Sequence, residues 1–239
     1  MTIQTQLTTS RGSTIDIVSD NPKTVAHFDH SGSFANFIVT QINTDRFYDS
    51  ILKDKDNLTI LDIGSNIGLF SLYIHDRASV VYAIEPTPAH LEVLIDITKS
   101  YTNIIPLGIA LYDKDTEIDF YTMEQNSAMN TFIKRSEFGY NDKITVQAKT
   151  IATILKDLNL NHVDLVKCDI EGGEMIALTV DTIRPVFNLI NTWIIEIHQT
   201  DTGSLPENRE KIKSIFESVG YAVEYHRPDS IICYHADNR

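Results

Sequence analysis

The sequence predicts an α/β fold: a mostly parallel sheet with helices on both faces and an antiparallel hairpin at its C-terminal edge. Three observations carry this. Short apolar runs suited to buried strands recur along the chain, as NLTILDIG, VVYAIE, NIIPLGIALYD, VDLVKCDI and NTWIIEIH. Segments with helical spacing of apolar residues lie between most of them, and that alternation is the signature of a parallel sheet covered by its crossovers. The last stretch, YAVEYHRPDSIICYH, is two alternating runs around the turn residues RPDS and reads as a hairpin.

The elements follow in order. TIQTQL and TIDIV flank SRGS, which predicts a hairpin near the start. Residues 32–53, GSFANFIVTQINTDRFYDSILK, carry apolar residues at helical spacing and predict one or two helices. NLTILDIG is the first buried strand and IGLFSLYIHDR the helix after it. VVYAIE is the second strand. TPAHLEVLIDITKS is a helix with Thr87 as N-cap and Pro88 at its first position. NIIPLGIALYD holds a third strand. DTEIDFYTM and ITVQAKTI alternate and pair across EQNSAMNTFIKRSEFGYND. TIATILKDLNL is a helix, VDLVKCDI a buried strand, EGGEMIALTV a turn and helix, and NTWIIEIH a further strand. PENREKIKSIFESVG is an amphipathic helix ended by Gly220. Residues 1–57 read as an N-terminal extension or cap and residues 58–239 as the α/β domain.

Composition narrows the function classes. The chain has 239 residues, 42% of them hydrophobic, which is ample for a packed core and unlike a disordered chain. Twenty basic against 33 acidic residues leave a net charge of −13, and no Lys/Arg block is present, so a nucleic-acid partner is not expected. Cys168 and Cys233 lie in apolar runs and read as buried free thiols of a reducing compartment. With no apolar leader and no membrane-length apolar run, the expectation is a soluble, cytoplasmic chain without a membrane partner. A homodimer is the assembly to consider, and the sequence does not fix the oligomeric state.

The stretch TILDIGSNIG sets Gly64, Asn66 and Gly68 between a strand and a helix, where open α/β sheets bind ligands. The dinucleotide fingerprint G-x-G-x-x-G is not met: its second glycine is Asn66 and its third would be Leu69. A pyrophosphate grip is therefore disfavoured. Glu85 ends the next strand, at the position that reads ribose hydroxyls. A loop and an acid at successive strand ends form a nucleoside-binding arrangement. Without a pyrophosphate grip, the carrier to consider is S-adenosylmethionine.

The same residues carry a family resemblance. LDIGSNIGLFSLY resembles motif I, and VYAIEPTPAH motif II, of class I S-adenosylmethionine-dependent methyltransferases. VDLVKCDIEGGEMIAL is similar to the Lys-x-Asp-x-Glu-Gly-x-Glu signature of FkbM-type methyltransferases, and WIIEIH also resembles that family. The resemblance covers roughly residues 58–200. It implies a Rossmann-like domain that O-methylates hydroxyls, often of sugars or natural products, and yields S-adenosylhomocysteine. It also implies that Asp62, Gly64, Asn66 and Gly68 line the methionine and ribose side of the cofactor. Glu85 would hold the ribose, Pro86 would shape the adenine edge, and the strand end that includes Ala110 would lie near adenine.

Methyl transfer to a hydroxyl needs alignment and a proton acceptor. Lys167, Asp169 and Glu171 alternate, which on a strand points them to one side; Glu196 and His198 do the same one strand later. His198 is the expected base because an unperturbed imidazole titrates near ~6.5. Asp169 is the rival base or an orienting group, while Lys167 and Glu174 read equally well as structural. Asp169, Glu171, Glu196 and His198 also offer ligands for Mg²⁺, but their spacing matches no metal motif, so metal-independent base catalysis ranks higher. The loop 124–143, with Asn126, Asn130 and Arg135, reads as an acceptor cover or a plain surface excursion. The remaining histidines, including His27 and His90, read as structural or exposed. The leading expectation is an O-methyltransferase acting on a saccharide or similar small hydroxyl-bearing acceptor. The alternatives are a non-catalytic S-adenosylmethionine-binding module and a methyltransferase acting on nucleic acid or protein.

Overall fold

The computed structural model describes residues 2–28, 34–45, 48–52, 54–122, 131–133 and 142–236. The chain divides into two units, Met1–Gly108 and Ile109–Arg239.

The first unit opens with an antiparallel hairpin, β1 (Ile3–Thr8) and β2 (Thr14–Ser19), in the predicted place. Gly12 takes φ 86° in its turn. Ile3, Leu7 and Ile17 face inward, the two-residue period of a half-buried ribbon. Helices α1 (Pro22–Phe28), α2 (Phe34–Asp45) and α3 (Asp49–Leu52) follow. The sequence reading contained α2 and α3 but not α1, whose seven residues are too few for a clear period. Asn43 of α2 grips β1: its Oδ1 accepts from Thr8 N–H at 2.7 Å and its Nδ2 donates to Gln6 O at 3.1 Å. Next come β3 (Leu58–Ile63), α4 (Leu69–Ile74), a 3₁₀ turn at His75–Arg77, β4 (Ala78–Ile84), α5 (Pro88–Thr98) and β5 (Ile104–Leu107). β3, β4 and β5 are parallel neighbours in that order. Ile60, Leu61, Ile63, Val81, Ala83 and Ile84 are all buried, as strands covered on both faces require.

The second unit begins with β6 (Ala110–Leu111), β7 (Thr116–Thr122) and β8 (Asp142–Lys149). β7 and β8 pair antiparallel as expected, and β6 lies parallel to β8. The single strand expected over 103–113 is thus two, β5 and β6, because the chain turns at Gly108, where a Cβ would stand 2.9 Å from Leu91 Cδ2. Then follow α6 (Ile151–Asp157), β9 (Val163–Cys168), α7 (Glu174–Ala177), α8 (Val180–Ile183), a 3₁₀ stretch at Arg184–Leu189, β10 (Ile190–Glu196), α9 (Leu205–Val219), β11 (Ala222–Arg227) and β12 (Ser230–Tyr234). β9 and β10 are parallel; β10, β12 and β11 continue as antiparallel neighbours, the closing hairpin of the sequence reading. The helix expected in EGGEMIALTV is a single turn, α7. Thr179 ends it by accepting from Thr182 N–H at 3.2 Å, which starts α8. Among the described residues no helix is long and apolar enough to cross a membrane.

Candidate active site

In the first unit the loop between β3 and α4 alternates in handedness. Gly64, Asn66 and Gly68 take φ of 77°, 51° and 86°. Asn66 tolerates the left-handed region because its own Oδ1 accepts from Ile67 N–H at 2.8 Å. Gly68 is required twice, by its φ and because a Cβ would stand 2.2 Å from Leu94 Cδ1 of α5.

The amides of this loop are committed inward. Gly64 and Ser65 N–H both donate to Ile84 O at 3.0 Å, and Gly68 N–H donates to Ser65 O at 2.8 Å. Asn66 N–H donates to Glu85 Oε2 at 3.0 Å. A phosphate cradle needs such donors turned outward, so the loop suits a ligand without phosphates.

Glu85 is buried at 5% exposure and joins the two strand ends. Its other oxygen, Oε1, accepts from Thr87 N–H at 2.8 Å and lies 3.5 Å from His90 Nδ1. Burial alone pushes this carboxyl up; the His90 imidazole and the Thr87 bonds outweigh it and hold the group below its ordinary value. Asp62 is fully buried, and its Oδ2 accepts from Ser71 Oγ at 2.6 Å, tying β3 to α4. Pro86 is partly exposed between Glu85 and Thr87.

Thr87 stands at the predicted N-cap position, but its hydroxyl makes no cap bond. The buried Ser65 Oγ and Thr87 Oγ1 have no hydrogen-bond partner among the described residues. An unsatisfied buried hydroxyl costs about 1–3 kcal/mol, and a polar ligand satisfies it. These two orphans, the ribose-type acid and the phosphate-free loop fit a nucleoside carrier such as S-adenosylmethionine. Sequence reading missed Ser65 and Thr87; their adjacency to Gly64 and Glu85 was the available signal.

In the second unit the register of β9 and β10 sets Ile194 beside Lys167 and Ile195 beside Cys168, which carries Glu196 next to Asp169. Lys167 Nζ donates to Asp169 Oδ2 at 3.1 Å. His198 lies among acids: Nδ1 is 3.3 Å from Glu174 Oε1, and Nε2 is 3.7 Å from Glu171 Oε2 and 3.8 Å from Asp169 Oδ1. Glu174, buried at 0% exposure, also accepts from Ile170 N–H at 2.8 Å through Oε1. Glu171 reaches the cluster by a route other than the alternation expected. β9 ends at Cys168, and Glu171 sits in the following turn with φ 54°. At Gly173 a Cβ would stand 2.5 Å from the Phe132 ring.

Charge reorders the roles expected of these groups. Burial disfavours an imidazolium, but Glu174, Glu171 and Asp169 outweigh it and raise His198 to about 10. The ordinary imidazole value that pointed to His198 as base does not hold in this fold, where it is a cation near neutrality. Glu196 is raised to about 7 by the charge of Asp169 and by burial. Asp169 is pushed up by burial and brought below its ordinary value by Lys167 and His198.

Ligand atoms of Asp169, Glu196 and His198 lie within 4.8 Å of one another. This set fits Mg²⁺ poorly, because the Lys167 ammonium already neutralises Asp169 and Mg²⁺ prefers oxygen to imidazole. Ala110 lies in an apolar cluster with Phe120, Val146 and Ala148. Asn126, Asn130 and Arg135 fall outside the described residues.

Known proteins resemble this chain in a consistent way. Residues 62–223 match the Methyltransferase FkbM domain family. Methyltransferase 1 of Beauveria bassiana (strain ARSEF 2860) is 25% identical over 223 residues, covering 81% of this chain and 83% of that protein. Methyltransferase sdnD of Sordaria araneosa is 25% identical over 228 residues, with 82% and 85% covered. The crystal structure of Methyltransferase FkbM from Methylobacillus flagellatus KT is similar with a TM-score of 0.49 and 19% identity. That likeness covers 79% of this chain and 46% of that one, so this chain spans under half of its length.

Proposed function

The chain belongs to the FkbM family of class I methyltransferases, and from that premise we propose that it moves a methyl group from S-adenosylmethionine to a hydroxyl of a saccharide or similar small polar acceptor. The observation that carries the cofactor reading is the Glu85 carboxylate, which holds the Asn66 and Thr87 amides beside a loop whose own N–H donors are spent. Asp62, Gly64, Ser65, Asn66, Gly68, Glu85 and Thr87 would hold the nucleoside carrier. When bound, it supplies an activated methyl group on a good leaving group.

The second unit supplies the proton chemistry. Glu196, with its carboxyl at about 7, is about half ionised at neutral pH and more basic than an ordinary carboxylate, which suits a general base for an acceptor hydroxyl. His198 is the imidazolium that Glu174 orients through Nδ1, leaving Nε2–H as a donor toward Glu171 and Asp169. Asp169, held ionised by Lys167, orients the acceptor. The net charge of −13 favours a neutral or cationic acceptor over a nucleic acid. A cytoplasmic setting agrees with the buried free thiols Cys168 and Cys233. Their strands, β9 and β12, flank β10 on opposite sides, too far apart for a disulfide.

The test is transfer of a labelled methyl group to a panel of sugars and glycosides, with calorimetric binding of the cofactor alongside. Glu196→Gln is expected to lower turnover by ~10²–10⁴ with cofactor affinity kept. Undiminished transfer removes Glu196 as base. No heat on titrating well-folded protein with S-adenosylmethionine sinks the cofactor reading.

A further inference from the structure

We propose that His90 is a positioning residue for the ribose-reading carboxylate of Glu85, and that the N-terminal segment reaches the cofactor site through His27. The inference rests on the S-adenosylmethionine reading above.

Each oxygen of Glu85 already accepts one backbone N–H, from Asn66 and from Thr87. A carboxylate that must also accept from ribose hydroxyls has to keep its remaining lone pairs in a fixed direction. His90, in the first turn of α5, is buried, with Nδ1 3.5 Å from Glu85 Oε1. Side chains in a first helical turn lean back toward the N-terminus, which brings this ring onto the acid that precedes the helix. A carboxylate only accepts, so the imidazole proton belongs on Nδ1. That leaves His90 Nε2 as a buried nitrogen with no hydrogen-bond partner among the described residues. A phenyl ring would fill the same space without that cost, so packing alone does not call for an imidazole. What the imidazole adds is the Nδ1–H directed at Glu85.

The ring is backed by the N-terminal segment. His27, in the last turn of α1, meets His90 edge-on, with centroids 5.6 Å apart and planes at 69°. α1 is pinned to α5 beside them: Thr24 Oγ1 donates to Asp96 Oδ2 at 2.7 Å and Lys23 pairs with Glu92, while Ser19 Oγ, at the end of β2, donates to the same Asp96 oxygen. Burial, with the neighbouring His90, lowers His27 to about 4, so it packs there as a neutral ring. A displacement of α1 therefore frees the back of His90, and the directional hold on Glu85 goes with it.

The experiment is calorimetry of the full chain with S-adenosylhomocysteine and its 2′-deoxyribose analogue. Wild-type protein is expected to prefer the parent by about tenfold, one hydrogen bond to a charged group. In His90→Phe that preference should collapse to within about twofold, with the analogue binding nearly as in wild type. His90→Asn, which returns an N–H near the Nδ1 position, should restore most of it. His27→Ala should reduce it about threefold, roughly half the effect in free energy. A full preference in His90→Phe, or equal weakening of both ligands, overturns the positioning role. If His90→Phe does not fold, a His90→Asn variant without ribose preference overturns it equally. An unchanged preference in His27→Ala removes the N-terminal segment from the proposal. Wild-type protein that binds neither ligand fails the cofactor reading itself, a result distinct from wild-type binding with an indifferent His90→Phe.

Discussion

Glu85→Gln isolates the joint between the two strand ends of the first unit. Both carboxylate oxygens accept a backbone N–H, from Asn66 at 3.0 Å and Thr87 at 2.8 Å. A glutamine amide has one oxygen. That oxygen stays toward Thr87, because His90 Nδ1 also faces Oε1 at 3.5 Å. The new NH₂ group then meets the Asn66 N–H, donor against donor. One charge-assisted bond is lost, about 1.5–3 kcal/mol, and a buried amide is left unpaired. The expected cost is about 2–3 kcal/mol, or roughly a 5–10 °C fall in Tm for a chain of this size. The damage is local to the loop, so the Asn66 amide should lose hydrogen-exchange protection before the core of β3 does. S-adenosylmethionine affinity should drop by at least about tenfold. The carboxyl is held below its ordinary value in the folded state. Its contribution is therefore present above the unfolded value of about 4.5 and lost as pH falls through the folded one. The variant should lose that acid-limb slope. A Tm within about 1 °C of wild type with unchanged cofactor affinity would refute the joint.

The other predictions concern packing, charge and metal. Gly68→Ala forces φ 86° on a residue with a Cβ 2.2 Å from Leu94 Cδ1; it should cost ~1–3 kcal/mol in urea unfolding. The double variant with Leu94→Ala should remain strained, since φ alone still opposes it, and full rescue would show that φ imposes nothing. His198 is raised to about 10. The stability it contributes is complete below about 6.5, its unfolded value, and lost as pH rises through about 10, so His198→Gln should flatten the alkaline limb. Glu196 is raised to about 7, so it binds its proton more tightly when folded. Its effect has the opposite consequence for the ionised form: stability falls as pH rises from about 4.5 through 7, and Glu196→Gln should remove that fall. Urea titrations at stepped pH read both, and a wild-type profile flat from 7 to 10 counts against the charge assignment of His198. Thorough chelation should leave methyl transfer within about twofold, since the Lys167 ammonium already faces Asp169; loss restored by Mg²⁺ would reverse the order of the two mechanisms.

The sequence by itself determined the parts of this protein that depend on local period and local chemistry. Alternation placed β1, β2, β7, β8, β11 and β12, because residues two apart share a face wherever one side is buried. Apolar runs placed β3, β4, β9 and β10. Pro88 and Gly220 marked a helix start and stop, since Pro presets the φ of a first helical position and Gly readily takes the φ of 120° that ends α9. The succession from Gly64 to Glu85 pointed to a nucleoside-type loop, and the missing glycine at Leu69 argued against pyrophosphate. The inward commitment of the loop amides supplies the physical reason.

Tertiary structure decided what depends on neighbours distant in sequence. Short segments such as α1 and α7 take their form from what they pack on, not from a period they are too brief to show. Glu171 enters the acid cluster through a left-handed turn that no alternation rule describes. The charge of His198 is set by three carboxylates brought from one loop and one helix, so an ordinary imidazole value could not rank the bases. Thr87 reads as a helix cap from its type and place, yet its hydroxyl makes no cap bond, and it is its amide that is engaged, by Glu85. His27 and His90, 63 positions apart and scattered among other histidines in the sequence, share one buried contact only because α1 docks on α5. Electrostatic potential and orphaned hydrogen bonds are sums over all neighbours in space, and a linear pattern carries only the nearest few of them.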